Sequence, residues 1–155
     1  ELRSNITISK KLIIANMTRG IECFYDHKAK FLAGKSTTVI LPGKGKYSLE
    51  IMAAFLNSDI TNFFVLIYFN SLKMQGGAIN FGPKQIGQIP IPKKIKFEEK
   101  ISKLVKDIVT IKSKNIRSEI DKKMIEINNL IFKNFNLNQN EIVIIKNYLN
   151  KINNT

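Results

Sequence analysis

The segment YSLEIMAAFLNSDITNFFVLIYF, Tyr47 to Phe69, decides how the chain is read, because it holds two apolar runs back to back, each behind a serine. Ser48 stands where its hydroxyl can accept a backbone N–H of a first helical turn, and Leu49, Met52, Ala53 and Leu56 then recur at helical spacing. Glu50 lies near the positive end of that helix. Asn57-Ser58 breaks it, and Ser58 is placed to cap a second helix from Asp59 to about Phe69. The apolar residues of this second helix are nearly continuous, which predicts burial on most of its faces. A strand over Phe64 to Phe69 is the rival assignment, since three aromatic and two branched residues suit one equally well.

Upstream, Lys11 to Ala15, Glu22 to Tyr25 and Thr37 to Leu41 read as strands: each is short, apolar or β-branched, and bounded by polar or glycine turns. Pro42 to Lys46, PGKGK, reads as a turn. Downstream, the ribbon AINFGPKQIGQIPIPKK, Ala78 to Lys94, follows the glycine pair Gly76-Gly77. Gly82-Pro83 turns it again, and Pro90 and Pro92 remove two backbone donors and push residues 89 and 91 toward extended conformations. It is expected to be neither a central strand nor a helix, but a connector pinned by Ile86, Ile89 and Ile91. Lys84, Gln85, Gln88 and the two terminal lysines would face outward.

From Phe97 the period changes. Ile101, Leu104, Val105, Ile108 and Ile111 form one apolar stripe, and Ile116, Ile120, Met124, Ile127 and Ile131 form another, with Lys112 to Asn115 as the break. An antiparallel hairpin or one long helical spacer satisfies this pattern. Asn138 and Glu141 have the spacing of a capping box for a last helix through Tyr148, with Ile142, Ile145 and Leu149 inward. The expected class is α+β: a small mixed strand-helix body in residues 1–96, then a helical hairpin or spacer and a short terminal helix in residues 97–155.

The 155 residues, 44% apolar and 24% charged, suit one ordinary core. With one cysteine, Cys23, and one histidine, His27, neither an intrachain disulfide nor a thiolate-rich zinc site is expected. No long apolar run follows the first charges, and Asn62 to Phe69 is too short to cross a bilayer, so a cytoplasmic protein without a membrane partner is the default.

Net charge is +13, and its distribution is uneven. No acid lies between Asp26 and Glu50, a gap holding Lys28, Lys30, Lys35, Lys44 and Lys46, and none lies between Asp59 and Glu98. A polyanion is the natural partner of such a field. A Lys- and Asn-rich genome composition is the bland alternative.

Catalytic patterns fail on inspection. AGKSTT, Ala33 to Thr38, lacks the earlier glycine of a phosphate loop, because residue 29 is alanine. Glu22, Cys23, Asp26 and His27 lack a second histidine and an orienting partner, and Glu98-Glu99 opens a helix where acids are expected anyway. No glycine-rich methyl-donor loop occurs, nor an Asn-Pro-Pro-aromatic segment for holding a flipped base. The reading is a noncatalytic module without a cofactor.

Several pieces in order resemble the Taq-like C-terminal specificity domain, the target-recognition region of type II restriction-modification enzymes, related in plan to type I specificity subunits. They are KKLIIANMTRG (Lys10 to Gly20), CFYDHKAKFLAGKSTTVIL (Cys23 to Leu41), Tyr47 to Phe69, Gly76-Gly77, QIGQIPIP (Gln85 to Pro92) and SEIDKKMIEINNLIFKNFNLNQNEIVII (Ser118 to Ile145). The resemblance implies a module that binds and reads duplex DNA while a methyltransferase domain or subunit does the chemistry. Residues 97–155 would contact that partner or a second specificity module. Leu56, Asn57, Ser58, Pro90, Pro92 and Asp121 would be architectural, and Asn136-Leu137 replaces the family's commoner glycine-leucine turn. Such domains carry further strands upstream, so the chain reads as half of a recognition domain or as a separate subunit.

On this reading Lys28, Lys30, Lys35, Lys44, Lys46, Lys73, Lys84 and Lys93 would meet phosphates. Arg19, Gln75, Asn80 and Gln85 would meet base edges, which their paired donors and acceptors suit. The rivals are a helical interaction subunit that docks a methyltransferase or second specificity subunit, and a small metal-dependent nuclease using Glu22 or Glu98.

Overall fold

A computed structural model describes residues 8–43, 45–111 and 116–153. Lys44 and the break at Lys112 to Asn115 lie outside the described residues. Strand β1 (Lys11–Ala15) is followed by the two-residue β2 (Met17–Thr18), by β3 (Cys23–Asp26) and by β4 (Thr37–Ile40). The main sheet has the order β3-β1-β4, and both outer strands run antiparallel to β1. They therefore point the same way, and residues 27–36 must carry the chain back along the sheet from the end of β3 to the start of β4.

The pleat sorts these strands into two faces. Leu12 and Ile14, with Cys23, Tyr25 and Ile40 beside them, join the core. Lys11, Ile13, Phe24, Asp26 and Val39 occupy the other face. There Lys11 and Asp26 are direct cross-strand partners, with Nζ to Oδ2 at 2.7 Å and side chains 0% and 1% exposed.

Helices α1 (Leu49–Leu56) and α2 (Asp59–Tyr68) form as the two serines predict. The Ile51 N–H donates to Ser48 Oγ and the Thr61 N–H donates to Ser58 Oγ, each at 3.3 Å. The rival strand over Phe64 to Phe69 does not form. Burial of α2 is less complete than its composition predicts: Val65 and Leu66 are buried, but Ile67 and Tyr68 are 50% and 59% exposed. No single described helix is long and apolar enough to cross a membrane, and the α1–α2 pair is bent by 60° at Asn57-Ser58.

The proline ribbon holds more regular structure than expected. Its first residues form β5 (Ile79–Asn80), paired with β2, and Pro83–Ile86 make one helical turn, α3. Pro83 sits at the start of that turn, where a missing N–H costs nothing, and this local chemistry outweighs the glycines on either side. The pinning expectation holds: Ile89 is buried, and Ile86 and Ile91 pack against the core.

Helix α4 (Glu98–Thr110) packs on α1, α5 (Ile116–Asn134) on α4, and α6 (Gln139–Asn153) on α2. The ion pairs Lys100–Glu126 at 2.7 Å and Lys123–Asp107 at 3.2 Å show that α4 and α5 run antiparallel, which selects the hairpin over the single long helix. Their apolar stripes are turned inward at Ile101, Leu104, Val105, Ile127 and Ile131, in one core with Leu12, Phe55 and Phe81. Helix α5 ends with the Leu137 N–H donating to Phe132 O at 3.1 Å and the Asn136 N–H to Lys133 O at 3.2 Å. Asn136 takes the left-handed conformation, φ 53°, that glycine ordinarily supplies in this motif. The capping box of α6 is reciprocal: Asn138 N–H to Glu141 Oε2 at 2.8 Å, and Glu141 N–H to Asn138 Oδ1 at 3.0 Å. At 15 residues α6 is longer than the short terminal helix expected.

Asparagines join these layers. Asn57 accepts the Cys23 N–H at 3.0 Å and donates to the Cys23 carbonyl at 2.9 Å, so its amide pairs with β3 as another strand would. Asn134 grips the N–H and C=O of Lys96 in the same way. Asn62 Oδ1 accepts the Ile21 N–H at 2.7 Å, and a Cβ on Gly20 would stand only 2.6 Å from that oxygen. Asn57→Ala should cost about 1–3 kcal/mol for each Cys23 backbone group left unpaired. Urea unfolding measures it, and an unchanged midpoint would show that the clamp does not matter.

Candidate nucleic-acid interface

Asn16, just past β1, is the hub of one end of the sheet. Its N–H donates to Ser36 O at 3.1 Å, its carbonyl accepts the Phe81 N–H at 2.7 Å, and its Oδ1 accepts the Thr38 hydroxyl at 2.8 Å. These bonds gather the start of β4 and the exit of β5, and with them Lys35, Asn80 and Lys84. In the β2–β5 ladder Met17 lies opposite Asn80, and both are exposed. Arg19 follows β2 and is also exposed. The loop before β5 is closed by the Met74 N–H donating to Ala78 O at 2.8 Å and the Gly77 N–H to Met74 O at 2.9 Å. Gly76 and Gly77 have φ of 90° and 82°, conformations that leave Gln75 exposed at the loop tip and that a side chain at either position would strain.

The remaining predicted residues lie elsewhere. Lys28 and Lys30 follow Asp26 at the opposite end of the sheet, and both are exposed. Lys46 and Lys93 meet near the start of α1, where the Lys46 ammonium donates to the Lys93 carbonyl and the Tyr47 hydroxyl donates to Pro92 O at 2.7 Å. Lys73 is half-buried, and so is Gln85, which was expected to face outward but sits in the first turn of α3 against Gly82. The ion pairs Lys11–Asp26, Lys100–Glu126 and Lys123–Asp107 involve none of the predicted DNA contacts.

The acids of the body are mostly occupied. Burial alone would raise the Asp26 carboxyl, but the Lys11 hydrogen bond, the Lys30 and Phe31 backbone N–H groups and the Lys11 charge together hold it below the usual carboxylate range. For Glu50, burial is outweighed by its own backbone N–H, the Tyr25 and Ser48 hydroxyls and the Lys106 charge, so it too is lowered. Burial raises Asp59 despite Lys146 and Asn128. Glu22 is exposed.

Among the described residues no three His, Cys, Asp or Glu side chains gather in a way that could hold a metal. Burial pushes the Cys23 thiol up to about 12, far from the reactive thiolate. AGKSTT runs into β4 rather than into a helix, with the Thr37 hydroxyl donating to Gly34 O at 2.7 Å, so it is no phosphate loop. Of the expected architectural residues, Leu56 and Ser58 are buried and Asn57 forms its clamp, while Asp121 is exposed on α5. Sequence reading missed the Lys11–Asp26 pair. Its signal was a lysine at the head of an apolar strand and an aspartate at the end of another.

No protein-family model matches the chain, and no curated protein matches it in sequence.

The Asp26 carboxylate predicts an acid-side dependence. Its folded pKa is below the ordinary carboxylate value, so the unfolded chain binds the extra proton, and stability rises with pH in that window. The contribution is complete above the unfolded value and lost as pH falls through the folded one. Asp26→Asn should remove that slope and cost about 3–5 kcal/mol near neutral pH by leaving Lys11 buried without its counter-charge. Urea midpoints between about pH 2 and pH 7 test both; parallel curves for the two proteins would contradict the assignment.

Proposed function

We propose that the chain is the noncatalytic specificity module of a restriction-modification or DNA methyltransferase system, acting in the cytoplasm and reading duplex DNA sequence. The observation that carries this reading is the imbalance of free charge on the body. Of its four described carboxylates, Asp26, Glu50 and Asp59 are drawn into internal contacts and only Glu22 stands free. Lys28, Lys30, Lys35 and Lys84 remain exposed, without an acid partner among the described residues. The ordered resemblance to target-recognition domains supplies the biological setting.

The spacing of the two basic ends supports it. β1 places Lys11 and Ala15 four strand steps apart, roughly 14 Å at about 3.4 Å per residue, which is close to a major-groove width of about 12 Å. Lys28 and Lys30 at one end and Lys35 and Lys84 at the other would then meet phosphates on the two walls of a groove. A two-stranded ribbon fits that groove, and β2–β5 offers Asn80, with Arg19 and Gln75 beside it, to base edges. Lys44, Lys46, Lys73, Lys93 and Gln85 complete the proposed contact set as secondary members.

A second reading has its own observation. A groove of about 420 Å³ runs between α2 and the proline ribbon, lined by Ile60, Phe63, Phe64, Ile67, Tyr68 and Pro90. It suits the docking of a methyltransferase or second specificity subunit better than the part of the α4 and α5 stripes at Ile101, Leu104, Ile127 and Ile131, which is buried in the core. If it serves that purpose, Tyr68→Glu should abolish co-purification with such a subunit and leave duplex affinity unchanged. Retention of the partner would remove this reading.

Fluorescence anisotropy against selected and scrambled duplexes at several salt concentrations tests the main proposal. Neutralising Lys28, Lys30, Lys35 or Lys84 should each lower the log-log salt slope by about one. Asn80→Ala should instead change preference among sequences, by about 1–3 kcal/mol for a lost bidentate contact, and leave that slope alone. Equal retention of all sequences from a randomised pool would refute sequence reading by this chain.

A further inference from the structure

The crossover between β3 and β4 is not a slack connection. Asp26 Oδ1 accepts the Lys30 N–H at 2.9 Å, and Oδ2 accepts the Phe31 N–H at 3.0 Å while bonded to Lys11 at 2.7 Å. The Ala29 N–H donates to Asp26 O at 3.3 Å, and Ala29 takes the left-handed conformation with φ 54°. Five residues are thus wound around one buried carboxylate.

What this device presents is apolar. Phe31 is 54% exposed and Leu32 is 77% exposed. Phe31 meets Phe24, itself 49% exposed on the outer face of β3, edge to face with ring centroids 5.2 Å apart. An aromatic held upright by a second ring, with a leucine beside it, is a costly thing to leave in water. Lys28 and Lys30, both exposed, precede it in the chain, and no acid lies between Asp26 and Glu50. A hydrophobic protein partner would not call for two exposed lysines just before the ring and no acid after it; a stack of bases between phosphates would.

We infer that Phe31 and Leu32 form a wedge that enters the base stack of duplex DNA and partly unstacks one step, while Lys28 and Lys30 hold the adjoining phosphates. This rests on the duplex-binding reading above and adds to it a deformation of the DNA. Apolar wedges between base steps kink a duplex at a cost of a few kcal/mol, and only a stiff element can deliver that work. The Asp26 carboxylate provides the stiffness. Unstacking is least costly at pyrimidine–purine steps, so the wedge would also contribute shape-dependent specificity at a position no hydrogen bond reads.

The test uses the full chain and its tightest-binding duplex carrying 2-aminopurine at successive adenine positions. The chain has no tryptophan, so the emission followed is that of the DNA. The native protein should raise fluorescence at one step, and the Phe31→Ala, Leu32→Ala double variant should lose that rise. The variant should keep its salt slope and bind about tenfold more weakly, within the range that loss of a base–aromatic stack produces. A far-UV spectrum identical to the native one, together with the retained slope, excludes misfolding as the cause. If the native protein binds duplex with every labelled step still stacked, or the double variant keeps the fluorescence rise, the wedge is wrong and the duplex reading stands. Failure of the native protein to bind any duplex overturns both. Binding to phosphatidylserine vesicles through Phe31 in the absence of duplex binding would assign the loop to a lipid surface and overturn the wedge.

Discussion

A lysine and an aspartate, both withdrawn from water, sit opposite each other on β1 and β3 and fix the geometry of the sheet's outer face. Neither charge would be tolerated there alone. Together they allow Asp26 to turn its remaining acceptor capacity toward the backbone of residues 30 and 31, which holds the start of the crossover and so the path by which the chain reaches β4. The pair is therefore less a source of stability than a device that makes one loop conformation the only satisfied one. Its cost is borne by the helices on the other face, where Leu12 and Ile14 meet a continuous core running through α1, α4 and α5.

The elements whose chemistry is local were legible in the sequence. Ser48, Ser58 and the Asn138–Glu141 pair satisfy orphan N–H groups within four residues of themselves, so reading them requires no knowledge of the rest of the chain. The same holds for KLIIA and for the stripes of α4 and α5. What depended on distant partners was misjudged. The exposure of Ile67 and Tyr68 follows from which elements happen to cover α2. The amides of Asn57, Asn62, Asn128 and Asn134 reach partners 34, 41, 69 and 38 positions away. In an Asn-rich chain nothing distinguished these four from their solvated neighbours.

The surface was harder to read than the fold, because charge in a sequence carries no address. The acid-free tracts marked which lysines lack near neighbours of opposite sign, yet they could not show that Lys28 and Lys35, seven residues apart, stand at opposite ends of the sheet. Asp26 looked like one member of a catalytic quartet and proved to be a structural anchor. Gly76 and Gly77 were recognisable as a turn, and their positive φ values give that turn a shape that only glycine adopts without strain.

Cys23 has a practical consequence for anyone handling the protein. It is the only thiol in the chain, it lies on the inward face of β3, and its backbone is gripped by Asn57. Burial pushes its ionisation up to about 12, so at neutral pH it is held as the thiol and should react slowly with maleimides or iodoacetamide. The native chain is thus close to a cysteine-free background, in which a single cysteine placed at exposed Gln75 or Lys28 can carry a fluorophore or a crosslinker without first editing the core.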